Sequence, residues 1–207
     1  MTTRIRPATP TPTDATAFAA LANMASHYVL ADLVGPGVEQ ALASAFLDDA
    51  TLYRPRQVWF TTVGDTITGM LCAYSGEEKA LLNAATDRYF ADVPGTENEP
   101  YATLRARFEP LSAFIDTVPP AAFYIQFLAV EPAWRGQGHA RALLAHAVDL
   151  GRQQGAATLE LDVETGNDAA LAAYRRAGLE VIRSSPVIRH DAQQREIGFH
   201  RMARTLA

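Results

Sequence analysis

The stretch "VEPAWRGQGHARALLAHA", residues 130 to 147, places Arg135, Gly136, Gln137, Gly138, His139 and Ala140 between an apolar run and an amphipathic one. If the first run is a strand and the second a helix, several backbone N–H groups without intrahelical partners converge at the helix start. Glycine lets a ligand approach that backbone closely, and the helix dipole adds about half a positive charge there. The chemistry is anion binding, and diphosphate suits it better than carboxylate. A glycine turn that merely connects two elements is the plainer alternative. A dinucleotide fold would want a third glycine where Arg141 stands, and a phosphate-binding loop would want Gly-Lys-Ser/Thr; neither pattern is met.

Two further groups invite a chemical reading. In "NDAALAAYRRAGL", Tyr174 lies seven residues beyond Asn167 on a short helical segment. A phenol of pKa ~10 stays protonated at neutral pH, as a general acid must, although a core tyrosine would look the same. In "FYIQFLAV", Tyr124 and Gln126 share one face of a strand by its period of two.

Taken together, "LAVEPAWRGQGHARALL" resembles motif A of the GNAT acetyltransferase superfamily, with Arg135, Gly138 and Ala140 at its fixed positions. Downstream, Asn167, Ala170, Tyr174, Gly178 and Leu179 resemble the family's next motif, with Leu179 in place of a phenylalanine. The two motifs occur in the family's order, one strand apart, and cover residues 123 to 182. The resemblance implies acetyl-CoA as acyl donor, with coenzyme A binding by the backbone from Arg135 through Gly136, Gln137, Gly138 and His139 to Ala140. It implies that Leu128, Ala129 and Val130 meet the pantetheine arm, and that Asn167 contacts the cofactor. Tyr174 becomes the proton donor to the departing thiolate, and an N–H near Leu128 the oxyanion donor.

Such an enzyme moves the acetyl group to a primary amine of a small molecule or peptide by direct attack in a ternary complex, so no nucleophilic cysteine is needed. Many members carry Glu or His where Tyr124 and Gln126 stand. Neither is a base near pH 7, but together they could orient a water that relays the proton. Glu131, or Glu77, Glu78, Asp87, Glu97, Glu99 and Glu109, could supply the base instead, and the amine could arrive already neutral. A same-fold enzyme for longer acyl groups and a non-catalytic acyl-CoA-binding regulatory module remain alternatives.

The elements that must position these groups can be read from periodicity. A strand "TRIRPAT" precedes a helix that starts near a Thr13 N-cap and stops at Gly35-Pro36, and a second helix follows with Val38, Leu42, Ala45 and Phe46 on one face. "QVWFTTV" and "TITGMLCAYS" form a hairpin about Gly64-Asp65. Residues 76 to 120 return to helical spacing, interrupted by "PGTEN" and stopped by Pro119-Pro120. "FYIQFLAV" suits a buried central strand, and strand, helix and strand pairs then alternate to the end. The expected fold is α/β (α+β): a single domain over residues 1–207 with a central mixed, mostly antiparallel sheet flanked by helices. A helical insert at about 76–120 separates strands 3 and 4. That insert, with the helices of residues 14 to 49, is expected to form the acceptor pocket. Its aromatics Tyr89, Phe90, Tyr101 and Phe108 would be pocket walls, the insert's own small core, or the contact of a homodimer.

Composition narrows the classes. The 207 residues carry a net charge of −5 and a single lysine, Lys79, so no lysine-rich arm is available for nucleic acid. Cys72 is the only cysteine, which excludes an internal disulfide and a thiolate metal cluster. No metal is expected, no membrane-length apolar run occurs, and a soluble, cytoplasmic enzyme is the expectation.

Overall fold

The computed structural model describes residues 3–26, 30, 31, 35, 37–91, 101–189 and 196–206, and of residues 101–105 and 107 the backbone alone. Strand β1 (Arg4–Pro7) leads into α1 (Pro12–Ala25) and α2 (Val38–Phe46), followed by the hairpin β2 (Val58–Val63) and β3 (Thr66–Ser75). The insert comprises α3 (Gly76–Ala91) and α4 (Tyr101–Asp116). Then come β4 (Ala122–Val130), α5 (His139–Gln153), β5 (Thr158–Glu164), α6 (Asp168–Arg176) and β6 (Glu180–Ser184). A two-stranded ribbon of β7 (Ile188–Arg189) and β8 (Glu196–Ile197) precedes β9 (Phe199–Thr205).

The seven-stranded sheet has the order β1-β2-β3-β4-β5-β9-β6 and is antiparallel except between β4 and β5. This is the mixed, mostly antiparallel sheet expected from the sequence, with the helical insert between β3 and β4. The N-cap of α1 differs: Thr11, not Thr13, accepts the Asp14 N–H, because Pro12 takes the first helical position. The helix also closes earlier, at Ser26, whose N–H bonds Ala22 O; the "PGTEN" break and most of 27–36 lie outside the described residues.

Each face of the sheet buries its own core. On one face Phe18, Leu21, Leu42 and Phe46 of α1 and α2 pack with Phe60, Met70, Tyr124 and Phe127. On the other, Leu143, Leu144 and Ala147 of α5 and Leu171 of α6 cover Phe123, Ile125, Leu159, Leu161 and Met202.

Two irregularities in β4 matter for function. Cys72 is opposite Phe127 and Ala73 opposite Ile125, so Gln126 has no cross-strand partner and forms a bulge. The bulge resets the alternation: Tyr124, Phe127 and Ala129 belong to the first core, whereas Ile125, Leu128 and Val130 pack toward the second. In addition, β4 pairs with β3 along its length but with β5 only from Ala122 to Ile125. Beyond that point the two central parallel strands part.

Candidate active site

A cleft of about 460 Å³ occupies the parting of β4 and β5. Gln126 to Val130 line one side of it and Asp162 to Glu164 the other. Because the opening is in the sheet itself, the cleft joins the two faces. Ala140, Leu144, Ala170, Ala173 and Tyr174 line it from the α5/α6 side; Met24, Phe108, Leu111 and Ile115 line it from the side of α1 and the insert.

On the α5/α6 side, Gly138 is the N-cap of α5 at φ 90°, a left-handed conformation, and no side chain caps the helix. The first intrahelical acceptor of the loop, Gly138 O, is reached only by Ala142 N–H, so the first-turn donors face outward. Gly136 has φ 75°, and a Cβ built on either glycine would meet nothing within 4 Å. The loop is therefore an open cradle of backbone donors at a positive helix end, a fit for a pyrophosphate. The unpaired edge of β4 adds an extended backbone suited to an amide-bearing arm such as pantetheine. Arg135 is exposed and its Nε donates to Val130 O at 3.1 Å, so the Val130 carbonyl already has a partner. Gln137 turns back to Ala133 O at 3.0 Å. His139 is buried with Nδ1 3.1 Å from Thr68 Oγ1, so its ring serves packing while its backbone remains in the cradle.

Asn167 caps α6, its side-chain oxygen accepting from Ala170 N–H at 3.1 Å, and it also lines the cleft. Tyr174 lies two turns on, on the cleft-lining face with Ala170 and Ala173. Burial raises its phenol pKa to about 12, which keeps the proton in place at neutral pH.

On the opposite face the cleft is held by a buried ionic cluster. Arg201 donates through Nε to Asp162 Oδ1 at 2.5 Å and through Nη2 to Oδ2 at 2.7 Å, and lies 3.4 Å from Glu160 Oε2. The same guanidinium donates to the carbonyls of Phe114 (3.2 Å), Ile115 (3.3 Å) and Thr117 (2.8 Å), where α4 ends. One side chain thus ties the insert to the sheet. Tyr124 Oη donates to Asp162 Oδ2 at 2.8 Å, and burial together with that carboxylate raises its pKa. Gln126 Oε1 accepts from Tyr74 Oη at 2.6 Å. Tyr124 and Gln126 both line the cleft, but each is already engaged with its own partner.

Of the carboxylates considered as bases from sequence, Glu78 pairs with Arg54 at 3.1 Å, Glu97 and Glu99 lie outside the described residues, and none of the others lines the cleft. Among the described residues the cleft carboxylates are Asp162 and Glu164, which sequence reasoning passed over. Their signal was present: "TLELDVE" alternates, and a polar face on a central strand calls for a partner. Of the insert aromatics whose side chains are described, only Phe108 lines the cleft. Tyr89 and Phe90 pack at the edge of the α1 core, where Phe90 lies 5.9 Å from Tyr53, and the Tyr101 side chain lies outside the described residues. Cys72 is fully buried away from the cleft, and burial pushes its thiol pKa well above the ordinary range.

A mixed sheet with parted central parallel strands, a glycine cradle at the following helix and a tyrosine on the next is an acyl-coenzyme A transferase architecture. The model of the acetyltransferase (GNAT) family matches residues 33–179, and the chain belongs to that family. An N-acetyltransferase from Staphylococcus aureus Mu50 shares the fold, with a TM-score of 0.67 at 18% identity over 97% of this chain and 100% of that one. The ribosomal-protein-S18-alanine N-acetyltransferase of Escherichia coli superposes with a TM-score of 0.59 at 18% identity, covering 100% of this chain and 95% of that one. In sequence, the N-alpha-acetyltransferase RimI of Mycobacterium tuberculosis is 39% identical over 62 residues, 30% of this chain and 37% of that protein. Streptothricin acetyltransferase of Streptomyces lavendulae is 44% identical over 54 residues, 26% of this chain and 29% of that protein. The chain thus spans less than two fifths of the length of these curated relatives. No described helix is long and apolar enough to cross a membrane.

Proposed function

We propose that the chain is an acetyl-CoA-dependent N-acetyltransferase acting on a primary amine of a small molecule or peptide by direct attack in a ternary complex. The observation that carries this reading is the cleft through the sheet, which unites the α5 cradle, the free edge of β4 and Tyr174. Acetyl-CoA, when bound, would supply the thioester: its C–S bond breaks as the amine bonds the acyl carbon, the amine loses a proton, and the sulfur leaves protonated as free coenzyme A.

The chain's own groups divide the work. The N–H groups from Gly136 to Ala140 hold the pyrophosphate, and the backbone of Leu128 and Ala129 holds the arm. An N–H of the β4 edge near Leu128 faces the acyl oxygen as its charge grows, a contribution typically worth 10²–10³ in rate. Tyr174 gives its proton to the leaving sulfur. Asp162 accepts from both Arg201 and the Tyr124 hydroxyl, so its role is to orient that ring. Gln126 lines the cleft with its oxygen accepting from Tyr74, which leaves its NH₂ as the group to act as a donor. Glu164 is the cleft carboxylate that could receive the amine's proton.

Calorimetry with acetyl-CoA and with coenzyme A tests the donor half, and no binding at millimolar ligand would remove the proposal. Tyr174→Phe should lower kcat about a hundredfold or more with coenzyme affinity retained. Unchanged turnover would take Tyr174 out of the mechanism.

A further inference from the structure

The two mouths of the cleft differ in chemistry. Cross-strand partners share a face, so Asp162 opposite Arg201 and Glu164 opposite Phe199 lie away from Leu161 and Met202, which pack under α5 and α6. Phe199 and the Asp162–Arg201 pair therefore belong to the acceptor side. There the floor, from β4 and β5, carries the polar groups Tyr124, Gln126, Asp162 and Glu164. The walls are apolar: Phe108, Leu111 and Ile115 from α4, Ile197 from β8 and Phe199 from β9. Phe108, Leu111 and Ile197 form a buried cluster of their own, against which Phe199 packs. This is a third small core, and it borders a cavity instead of closing over it.

Charge points the same way. Among the described lining residues there are two carboxylates on this side, and Asp162 is matched by two guanidinium bonds. Among the described lining residues a polycation would meet no carboxylate beyond Asp162 and Glu164, and every further ammonium would be desolvated against Phe and Ile side chains. From these features we infer that the acceptor is a monoamine with an apolar body, an alkyl or arylalkyl amine, and not a polyamine or an aminoglycoside. This rests on the acetyl-transfer reading above. The amine sits at the polar floor beside Glu164 and Gln126, and its hydrocarbon body lies between α4 and β8–β9.

The test uses the full chain with acetyl-CoA and follows free thiol. Primary n-alkylamines from ethyl to hexyl hold charge constant while apolar area grows; phenethylamine, spermidine and kanamycin complete the set. Transfer to water of about one methylene's worth of surface is avoided at each step, so kcat/KM should rise about fourfold per methylene until the cavity is filled. Phenethylamine should exceed spermidine at least a hundredfold. Ser112→Asp, which puts a carboxylate into the half-buried α4 wall, should depress hexylamine and raise a diamine, with coenzyme A affinity unchanged as the folding control. Ile115→Ala should flatten the alkyl series. A kcat/KM flat along the series, or higher for spermidine or kanamycin, overturns the inference while leaving acetyl transfer intact. Failure to bind acetyl-CoA, or no thiol release with any amine, overturns the functional reading and the inference with it.

Discussion

Replacing Arg201 by methionine keeps most of the side-chain volume and deletes the charge that joins sheet to insert. Arg201 is 1% exposed and makes two bonds to Asp162, one contact to Glu160 and three bonds to the carbonyls ending α4. Removing one partner of a buried ion pair costs about 3–5 kcal/mol, because the stranded charge keeps its desolvation penalty. For a domain of this size each kcal/mol lowers Tm by about 2–4 °C, so a fall of ~6–20 °C is expected. The double variant Arg201→Met/Asp162→Asn removes the stranded carboxylate as well. It should be less destabilised than Arg201→Met alone, with a coupling energy of at least about 1 kcal/mol. Urea unfolding of the four proteins in the cycle, with Tm as a parallel readout, gives both numbers. Loss of less than about 1 kcal/mol in Arg201→Met, or strict additivity in the double variant, would refute the idea that this cluster anchors α4.

Other consequences are simpler. Tyr74, Tyr124 and Tyr174 all have phenol pKa values raised by burial, that of Tyr174 to about 12. The unfolded chain releases these protons first, so stability should be full below pH ~10 and fall as pH rises toward 12; a urea midpoint unchanged between pH 9 and 11 would contradict this. Gly138→Ala forces a side chain into a left-handed cap at a cost of about 1–2 kcal/mol, and calorimetry should find coenzyme A affinity reduced about tenfold. Cys72, buried and held as the thiol, should resist a thiol reagent such as dithiobisnitrobenzoate in the native chain and react at once in urea; rapid native labelling would disprove its burial. Lys79 is buried with its pKa lowered by desolvation, 3.8 Å from a half-exposed Asp116, so Lys79→Met should leave stability within about 1 kcal/mol of the parent or raise it.

The groups proposed for the donor half are local in sequence. Gly136 and Gly138 form one turn, and Asn167 and Tyr174 are seven positions apart on one short helix, so each pair depends on turn geometry, capping or helical spacing within a few residues. The element order was readable for the same reason. What escaped the sequence was long-range. The Gln126 bulge exists only in register with Cys72 and Ala73, more than fifty positions away, and it decides which β4 residues face which core. Asp162 became a structural carboxylate because β9 inserts beside β5 and brings Arg201 to it. Thr11 outcompeted Thr13 as a cap because Pro12, with its φ already helical and no N–H to satisfy, takes the first helical position. Tyr89 and Phe90, read from sequence as pocket walls, the insert's own core or a dimer contact, are turned by α3 toward the α1 core.

The parted strands have one more implication. On the proposed function, donor and acceptor would approach the reacting centre from opposite sides of a single β-layer, and the two surfaces would share almost no side chains. The glycine cradle, Asn167 and Tyr174 are fixed on one side, while α4 and the β8–β9 wall can drift in sequence on the other without disturbing them. On that proposal the sheet would act as a partition that lets one surface be inherited and the other be reinvented, and exchange of α4 alone would be the shortest route to a new acceptor.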